Sequence, residues 1–219
     1  STWAQGFAGV YGYGLLYDDG GDDSYRTGGT FYHAPLLPHD YQSFSGGFGM
    51  GWRPRAGGGI GMLYDNGEGN DFYEAEVMSL GSSYWYSIGM LIDGGGNDSY
   101  GLAQYGMGVG IHLSLGALYD MGGDDQYHSR NGVVGATAHD LSIGLMVDAS
   151  GDDFYIVGDG WGGSLTNSYG LFIDKLGNDL YATRGGAGYS FGKARWARGF
   201  AGAAIFLDLE GTDIYSKDV

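Results

Sequence analysis

The sequence predicts an all-β protein, a right-handed parallel β-solenoid (β-helix or β-roll-like) of about seven 26–28-residue rungs. Three observations predict it. The pattern Asp-x-x-Gly-x-Asp-x-Tyr returns seven times, at Asp18–Tyr25, Asp65–Tyr73 (one residue longer), Asp93–Tyr100, Asp120–Tyr127, Asp148–Tyr155, Asp174–Tyr181 and Asp208–Tyr215. Successive first aspartates are 47, 28, 27, 28, 26 and 34 residues apart, and the central spacing is too short for a propeller blade of ~40–45 residues. Gly supplies 47 of the 219 residues and Pro only 3, a composition that no helical repeat tolerates.

The elements of one unit follow in order. Four central copies begin with Ser, at Ser87, Ser114, Ser142 and Ser168. Two residues later comes Gly (Gly14, Gly61, Gly89, Gly116, Gly144 and Gly170), replaced by Ala204 in the last copy. Three mostly apolar residues then lead to the first Asp, as in Met90-Leu91-Ile92. Apolar runs between Gly-Asp-Asn clusters read as strands between turns. Asp-x-x-Gly-Asn reads as a tight turn whose Gly accepts positive φ. The second Asp and the Tyr are two apart, so both face one side of the next strand. Seven Tyr in register would stack into a single apolar column.

The repeat runs almost end to end, which makes residues 1–219 one repeat domain. Two long spacings mark insertions at about 26–58 and 182–203. They contain all three Pro residues and most of the Arg and Lys, including Arg53, Arg55, Arg184, Lys193, Arg195 and Arg198. Segments that depart from a rigid repeat are where binding and catalysis concentrate.

Charge and composition narrow the function. Asp and Glu outnumber Lys and Arg 26 to 10, a formal charge of −16, so phosphate backbones are repelled and nucleic acid is excluded as a partner. Divalent cations are the natural partner. No apolar run approaches the ~20 residues of a membrane-spanning helix. Cys is absent, which removes disulfides and thiolate metal sites. An acidic, Gly-rich, Cys-free repeat chain that starts at Ser1 fits a bacterial extracellular or cell-surface protein.

The chemistry of the repeat lies in its aspartates. The second Asp of each copy gives Asp23, Asp71, Asp98, Asp125, Asp153, Asp179 and Asp213. Two carboxylates one rung apart repel by ~3–4 kcal/mol at an effective dielectric near 20. Either backbone N–H groups cap them or a cation lies between rungs. A hard cation such as Ca²⁺ takes six to eight oxygens from carboxylates and carbonyls, and a Gly-rich turn ending in Asp offers both. The middle Asp or Asn (Asp22, Asn70, Asn97, Asp124, Asp152, Asn178) is expected to face solvent.

Gly-Gly-Gly-Asn-Asp-Ser-Tyr at 94–100, Leu-Gly-Asn-Asp-Leu-Tyr at 176–181 and Glu-Gly-Asn-Asp-Phe-Tyr at 68–73 resemble the RTX nonapeptide, Gly-Gly-x-Gly-x-Asp followed by x and a large apolar residue. The resemblance implies Ca²⁺ between neighbouring turns, with the second-Asp set as ligands and Gly21, Gly69, Gly96, Gly123, Gly151, Gly177 and Gly211 at the turn position. It covers about eight residues of each ~27-residue rung, and Asp stands where the family has its first Gly. The first-Asp set (Asp18, Asp65, Asp93, Asp120, Asp148, Asp174, Asp208) either adds metal ligands or accepts hydrogen bonds from turn amides.

No Ser-His-Asp order, P-loop, zinc spacing or dinucleotide fingerprint stands out, so no catalytic or cofactor-binding residue is singled out. His112 and His139 are 27 residues apart, which makes them candidate neighbours on adjacent rungs beside Asp140. The leading expectation is a secreted or surface module with a structural or binding role, stabilised by Ca²⁺. The alternative is a polysaccharide lyase or hydrolase, its substrate held by Arg53, Arg55, Lys193, Arg195 and Arg198 with His33 or His39. A third reading is an outer-membrane barrel of roughly fourteen strands. Exposed terminal rungs would allow end-to-end self-association.

Overall fold

A computed structural model describes residues 1–184 and 191–217; residues 185–190, inside the second insertion, lie outside the described residues. The described chain is all-β and builds a parallel β-solenoid. Its first sheet stacks seven strands, Tyr13–Asp18, Ile60–Asp65, Ile88–Asp93, Leu115–Asp120, Ile143–Asp148, Tyr169–Asp174 and Ala203–Asp208. Its second stacks Ser24–Arg26, Phe72–Glu74, Ser99–Leu102, Gln126–Ser129, Phe154–Val157, Leu180–Thr183 and Ile214–Lys217. Every pairing within these two sheets is parallel and in register, Asp on Asp and Tyr on Tyr. The two strands of each repeat unit belong to different sheets, so no hairpin forms between them, and a barrel built from such hairpins is ruled out.

A third side is shorter. Gly49–Met50, Ser83–Tyr84, Gly110–Ile111 and Ala138–His139 form a four-stranded sheet. Single bridges from Ala8 to Gly49, Ala138 to Ser164 and Ser164 to Ala194 extend it to seven positions.

Alternation decides what faces inward. Along Ile88–Asp93, Gly89, Leu91 and Asp93 are buried while Ile88, Met90 and Ile92 are only partly so. The inward Gly is needed for room, since a Cβ on Gly89 would sit 1.7 Å from the Ser82 carbonyl oxygen of the third side. The next inward position stacks Leu63, Leu91, Leu118, Met146 and Phe172 into a core column that meets the Tyr column opposite. That Tyr column is as expected: rings of Tyr25, Tyr73, Tyr100, Tyr127, Tyr155, Tyr181 and Tyr215 stack at centroid distances of 4.7 to 5.1 Å.

The repeated Ser closes the corner between the third side and the first sheet. Ser114 Oγ accepts the Ile111 N–H at 2.9 Å and approaches the Ser83 carbonyl of the previous rung at 3.2 Å. Ser87 and Ser142 do the same with Gly49 and Gly110. In the first insertion, Tyr32–His33 pairs antiparallel with Leu37–Tyr41, and a tight loop from Trp52 to Ala56 carries Arg53 and Arg55.

Candidate metal centre in the aspartate column

Both aspartates of each unit point into the space between the first and second sheets. From Asp65 to Asp179 all ten are at most 4% exposed. Their two sets do different work.

The second aspartates form a ladder along the stack. Oδ1 of Asp71, Asp98, Asp125, Asp153, Asp179 and Asp213 each accepts the backbone N–H of the corresponding Asp one rung earlier, at 2.6 to 3.0 Å. The middle residues, exposed as expected, run a ladder of opposite polarity. Asp22, Asn70, Asn97, Asp124 and Asp152 each accept the N–H of the residue one rung later at 2.8 or 2.9 Å, and Asn178 accepts that of Thr212 at 3.1 Å. Turn amides that a strand ladder cannot reach are thus satisfied by side chains. The glycine between them stacks as tightly as a residue can. A Cβ on Gly123 would lie 1.5 Å from the Gly96 carbonyl oxygen, and Gly69, Gly96, Gly151, Gly177 and Gly211 are within 1.8 Å of the same clash.

The first aspartates engage the Tyr column. Oδ1 of Asp65, Asp93 and Asp120 accepts the N–H two residues ahead at 2.7 to 3.0 Å. Oδ2 receives phenols. Tyr100 donates to Asp120 at 2.6 Å, Tyr127 to Asp148 at 2.7 Å and Tyr155 to Asp174 at 2.7 Å, each one rung ahead. The same-rung contacts are equally short: Tyr127 to Asp120 at 2.9 Å, Tyr155 to Asp148 at 2.8 Å and Tyr181 to Asp174 at 2.7 Å. The phenol and carboxylate oxygens therefore make one unbroken chain from Tyr100 to Tyr181.

That chain does not balance with tyrosine protons alone. A phenol has one O–H and an ionised carboxylate has none. Tyr127 and Tyr155 each approach three Oδ2 atoms, the third on Asp125 at 3.4 Å and on Asp153 at 3.1 Å, so most contacts of each lack a proton unless a carboxyl is protonated. The alternative is a cation that holds the oxygens together. Burial, the largest cause, and neighbouring aspartates push the carboxyls upward, to about 6 at Asp71, about 7 at Asp93 and Asp179, about 8 at Asp153, about 9 at Asp98 and about 11 at Asp125. Asp148 is raised well above its ordinary value for the same reasons.

Several carboxylates meet in groups able to hold an ion. One oxygen from each member lies within 4.8 Å of the others in Asp23/Asp65/Asp71, Asp93/Asp98/Asp120, Asp120/Asp125/Asp148 and Asp153/Asp174/Asp179. Each group combines aspartates of two adjacent rungs. Asp98 Oδ2, Asp148 Oδ1 and Asp174 Oδ1 are buried without a hydrogen-bond partner, and each belongs to one of these groups. The donor set is all oxygen, which suits hard cations over thiophilic ones. Asp18, Asp208 and Asp213 belong to the terminal rungs, where the column opens to solvent.

The histidines make a smaller cluster. His112 and His139 are neighbours on adjacent rungs, ring centroids 5.3 Å apart. The His112 Nδ1–H donates to Asp140 Oδ2 at 3.1 Å, while Nε2 takes Arg53 at 3.2 Å. Arg198 reaches both Asp140 oxygens at 2.8 and 3.1 Å. The two insertions thus meet over one repeat corner. Arg53 and Arg198 lie on that row, and Arg55 covers the Trp52 ring. Lys193 and Arg195 flank Ala194, which bridges to Ser164. His33 lines a cavity of about 440 Å³ together with His112 and His139, whereas His39 is exposed. Sequence reasoning missed the Asp–Tyr chain because hydrogen bonding between rungs leaves no spacing signature of its own.

The fold and the column define an acidic β-solenoid with a buried aspartate–tyrosine core. The chain matches no protein-family model, no curated protein and no solved structure.

Proposed function

We propose that this protein is a structural or binding module that works outside the cell or at its surface, a stiff acidic rod whose aspartate column takes up Ca²⁺. The observation that carries the reading is the set of buried carboxylate oxygens without a partner at Asp98, Asp148 and Asp174, each in an oxygen-only group spanning two rungs. A buried charge left unpaired costs several kcal/mol, and Ca²⁺ accepts irregular oxygen sets of this kind. Extracellular calcium would then couple folding to the compartment where the rod is used. The RTX-like turns point the same way, with the first-Asp set joining the second as ligands.

The test is a thermal melt with Ca²⁺ and with EDTA, joined to elemental analysis of the purified chain. Calcium at about a hundred times its dissociation constant adds about 2.7 kcal/mol of stability. Retained calcium and a higher melting temperature are expected. No shift and no bound calcium would remove the cation and leave the acids protonated.

A second reading, a polysaccharide-active enzyme, is favoured by one observation. His112, oriented by Asp140, stands on the wall of the cavity that His33 and His139 also line, and would act as an imidazole base held by a carboxylate once Arg53 leaves its Nε2. Activity on polyuronates that His112→Ala abolishes would establish it; intact polymer after prolonged incubation with the wild-type chain would dismiss it.

A further inference from the structure

The outer face of the first sheet is apolar at every position. Each of its seven strands turns three side chains outward: Tyr13, Leu15 and Tyr17; Ile60, Met62 and Tyr64; Ile88, Met90 and Ile92; Leu115, Ala117 and Tyr119; Ile143, Leu145 and Val147; Tyr169, Leu171 and Ile173; Ala203, Ile205 and Leu207. None of these positions holds a charged or amide residue, although Lys175 reaches over the face from its turn, its Nζ 5.3 Å from the Tyr119 ring centre and donating to the Tyr119 hydroxyl at 3.3 Å. The outer face of the second sheet is different, with Arg26, Glu74, Gln126 and His128 among its residues. Antiparallel sheets facing water carry polar residues outward, and a parallel sheet that is apolar on both faces is ordinarily covered on both. Here the inner face covers the core, and among the described residues no strand or loop packs over the outer one: Tyr13 is 66% exposed, Tyr169 62% and Ile143 45%, while central positions such as Met90 and Leu145 are half-buried by their sheet neighbours.

Its extent fits an interface. Seven strands ~4.8 Å apart and six residues long span roughly 30 by 20 Å. That is close to the ~800 Å² of accessible surface per partner found in stable complexes, once side-chain relief is counted. It also exceeds the few hundred Å² of contiguous apolar surface that a monomer ordinarily shows.

The two edges of the face differ in charge. Where the strands end, the turns carry exposed Asp19, Asp22, Glu68, Asp124, Asp152 and Glu210. Where they begin, Arg53 lies against Trp85 and His112, Arg198 lies on Asp140, and Arg55 extends from the same insertion loop. We propose that this face is a homodimer interface, closed by a second copy of the chain packed sheet on sheet. A two-fold axis parallel to the stack sets the acidic edge of each copy over the arginine edge of its partner. The other in-plane two-fold, along the strands, would set acid on acid and is disfavoured by repulsion. The pairing is the aligned sandwich in which two sheets lie ~10 Å apart.

Anionic lipid is a poorer occupant, because a membrane-bound face is rimmed with Lys and Arg and one edge of this face carries acidic turns in which Lys175 is the exception. On the function proposed above, the formal charge of −16 does not hold two copies apart, because much of it belongs to buried column aspartates that a proton or a cation would neutralise.

The test is sedimentation velocity of the full chain between 1 and 100 µM (on the order of the range where dimers of this area form), for the wild type, Leu145→Lys and Met90→Lys, with Ile156→Lys on the second sheet as control. The wild type and the control should sediment at twice the 23.2 kDa chain mass. Both first-sheet variants should be monomers with an unchanged melting temperature, since an outward Lys reaches water. Arg55→Glu should weaken the dimer several-fold, more at low salt than at high. A wild type that stays monomeric throughout overturns the proposal, whether or not it binds phosphatidylcholine vesicles or an insoluble neutral polysaccharide. So does an oligomer that both Lys variants leave intact, which would place the contact at the ends of the solenoid.

Discussion

The phenol of Tyr127 donates to Oδ2 of Asp148, one rung ahead, at 2.7 Å. The same phenol oxygen is 2.9 Å from Oδ2 of Asp120 on its own rung, so one hydroxyl ties two rungs together. Replacing it by Phe keeps the ring stack and removes only the oxygen. Tyr127→Phe should cost about 1–3 kcal/mol, the penalty for buried oxygens losing a partner. Tyr17→Phe, which loses a single exposed bond to Asp19, should stay within about 0.5 kcal/mol. Urea unfolding of the two variants separates them; equal losses would mean the chain of oxygens contributes nothing specific.

Stability without metal should fall as pH rises. Burial first, then neighbouring carboxylates, raise Asp93 and Asp179 to about 7, Asp153 to about 8 and Asp98 to about 9, against about 3.9 in an unfolded chain. The folded state therefore holds protons that the unfolded state has released. That contribution is complete below the unfolded value and is lost as pH climbs through 7 to 9. His112 acts in the opposite sense: burial first, then Arg53, lowers it to about 4, so its contribution fades as pH falls below the ordinary histidine value. In EDTA the melting temperature should peak near pH 5 (about midway between these limits) and drop toward pH 9, and Ca²⁺ should flatten the alkaline limb. A melting temperature in EDTA that rises from pH 5 to pH 9 would contradict the buried acids.

Asp148→Asn distinguishes the proton from the cation. The amide oxygen can still accept from Tyr127 and Tyr155, but no charge remains to be desolvated or bridged. In EDTA at pH 8 the variant should be more stable than the wild type by about 1 kcal/mol or more. Its calcium-induced rise in melting temperature should be smaller than the wild type's. A variant less stable than the wild type in EDTA, with an undiminished calcium response, would show that Asp148 is neither strained by charge nor a ligand.

Turn glycines should be irreplaceable for a reason of space. Gly123 has φ +140° and would place a Cβ 1.5 Å from the Gly96 carbonyl oxygen. Since that atom is backbone on the adjacent rung, Gly123→Ala should cost about 4 kcal/mol or more. Gly199, at φ +81° with nothing near its Cβ position, should lose only about 1 kcal/mol on the same change. Chemical denaturation measures both.

Much of this architecture was legible in advance because it is one unit repeated. The Asp-x-x-Gly-x-Asp-x-Tyr spacing placed a turn in every rung and set the second Asp and the ring on one side of the strand that follows, and in-register stacking followed from identity between copies; that the first Asp also points inward came from the structure. Ser and Gly before the first Asp were visible as a pattern, but their reasons were not. Ser142 bonds to Gly110 and Gly144 is pressed by the carbonyls of Ala136 and Thr137, contacts that exist only once the third side folds back. The apolar outer face was also written in the sequence, as apolar residues on both sides of each inward position. It reads as excess hydrophobicity until alternation assigns the faces.

The sequence by itself determined the rung, its register and the location of its charge, because a repeat forces equivalent residues into columns. Only the tertiary structure decided how the columns are satisfied. Whether a carboxylate meets an amide, a phenol or another carboxylate depends on how the side chains of adjacent rungs are oriented toward one another, and no residue pattern encodes that orientation. The insertions lie still further from the sequence. Arg53 and Arg198 are separated by most of the chain, yet converge on His112 and Asp140, since the solenoid brings one corner of every rung onto a single line.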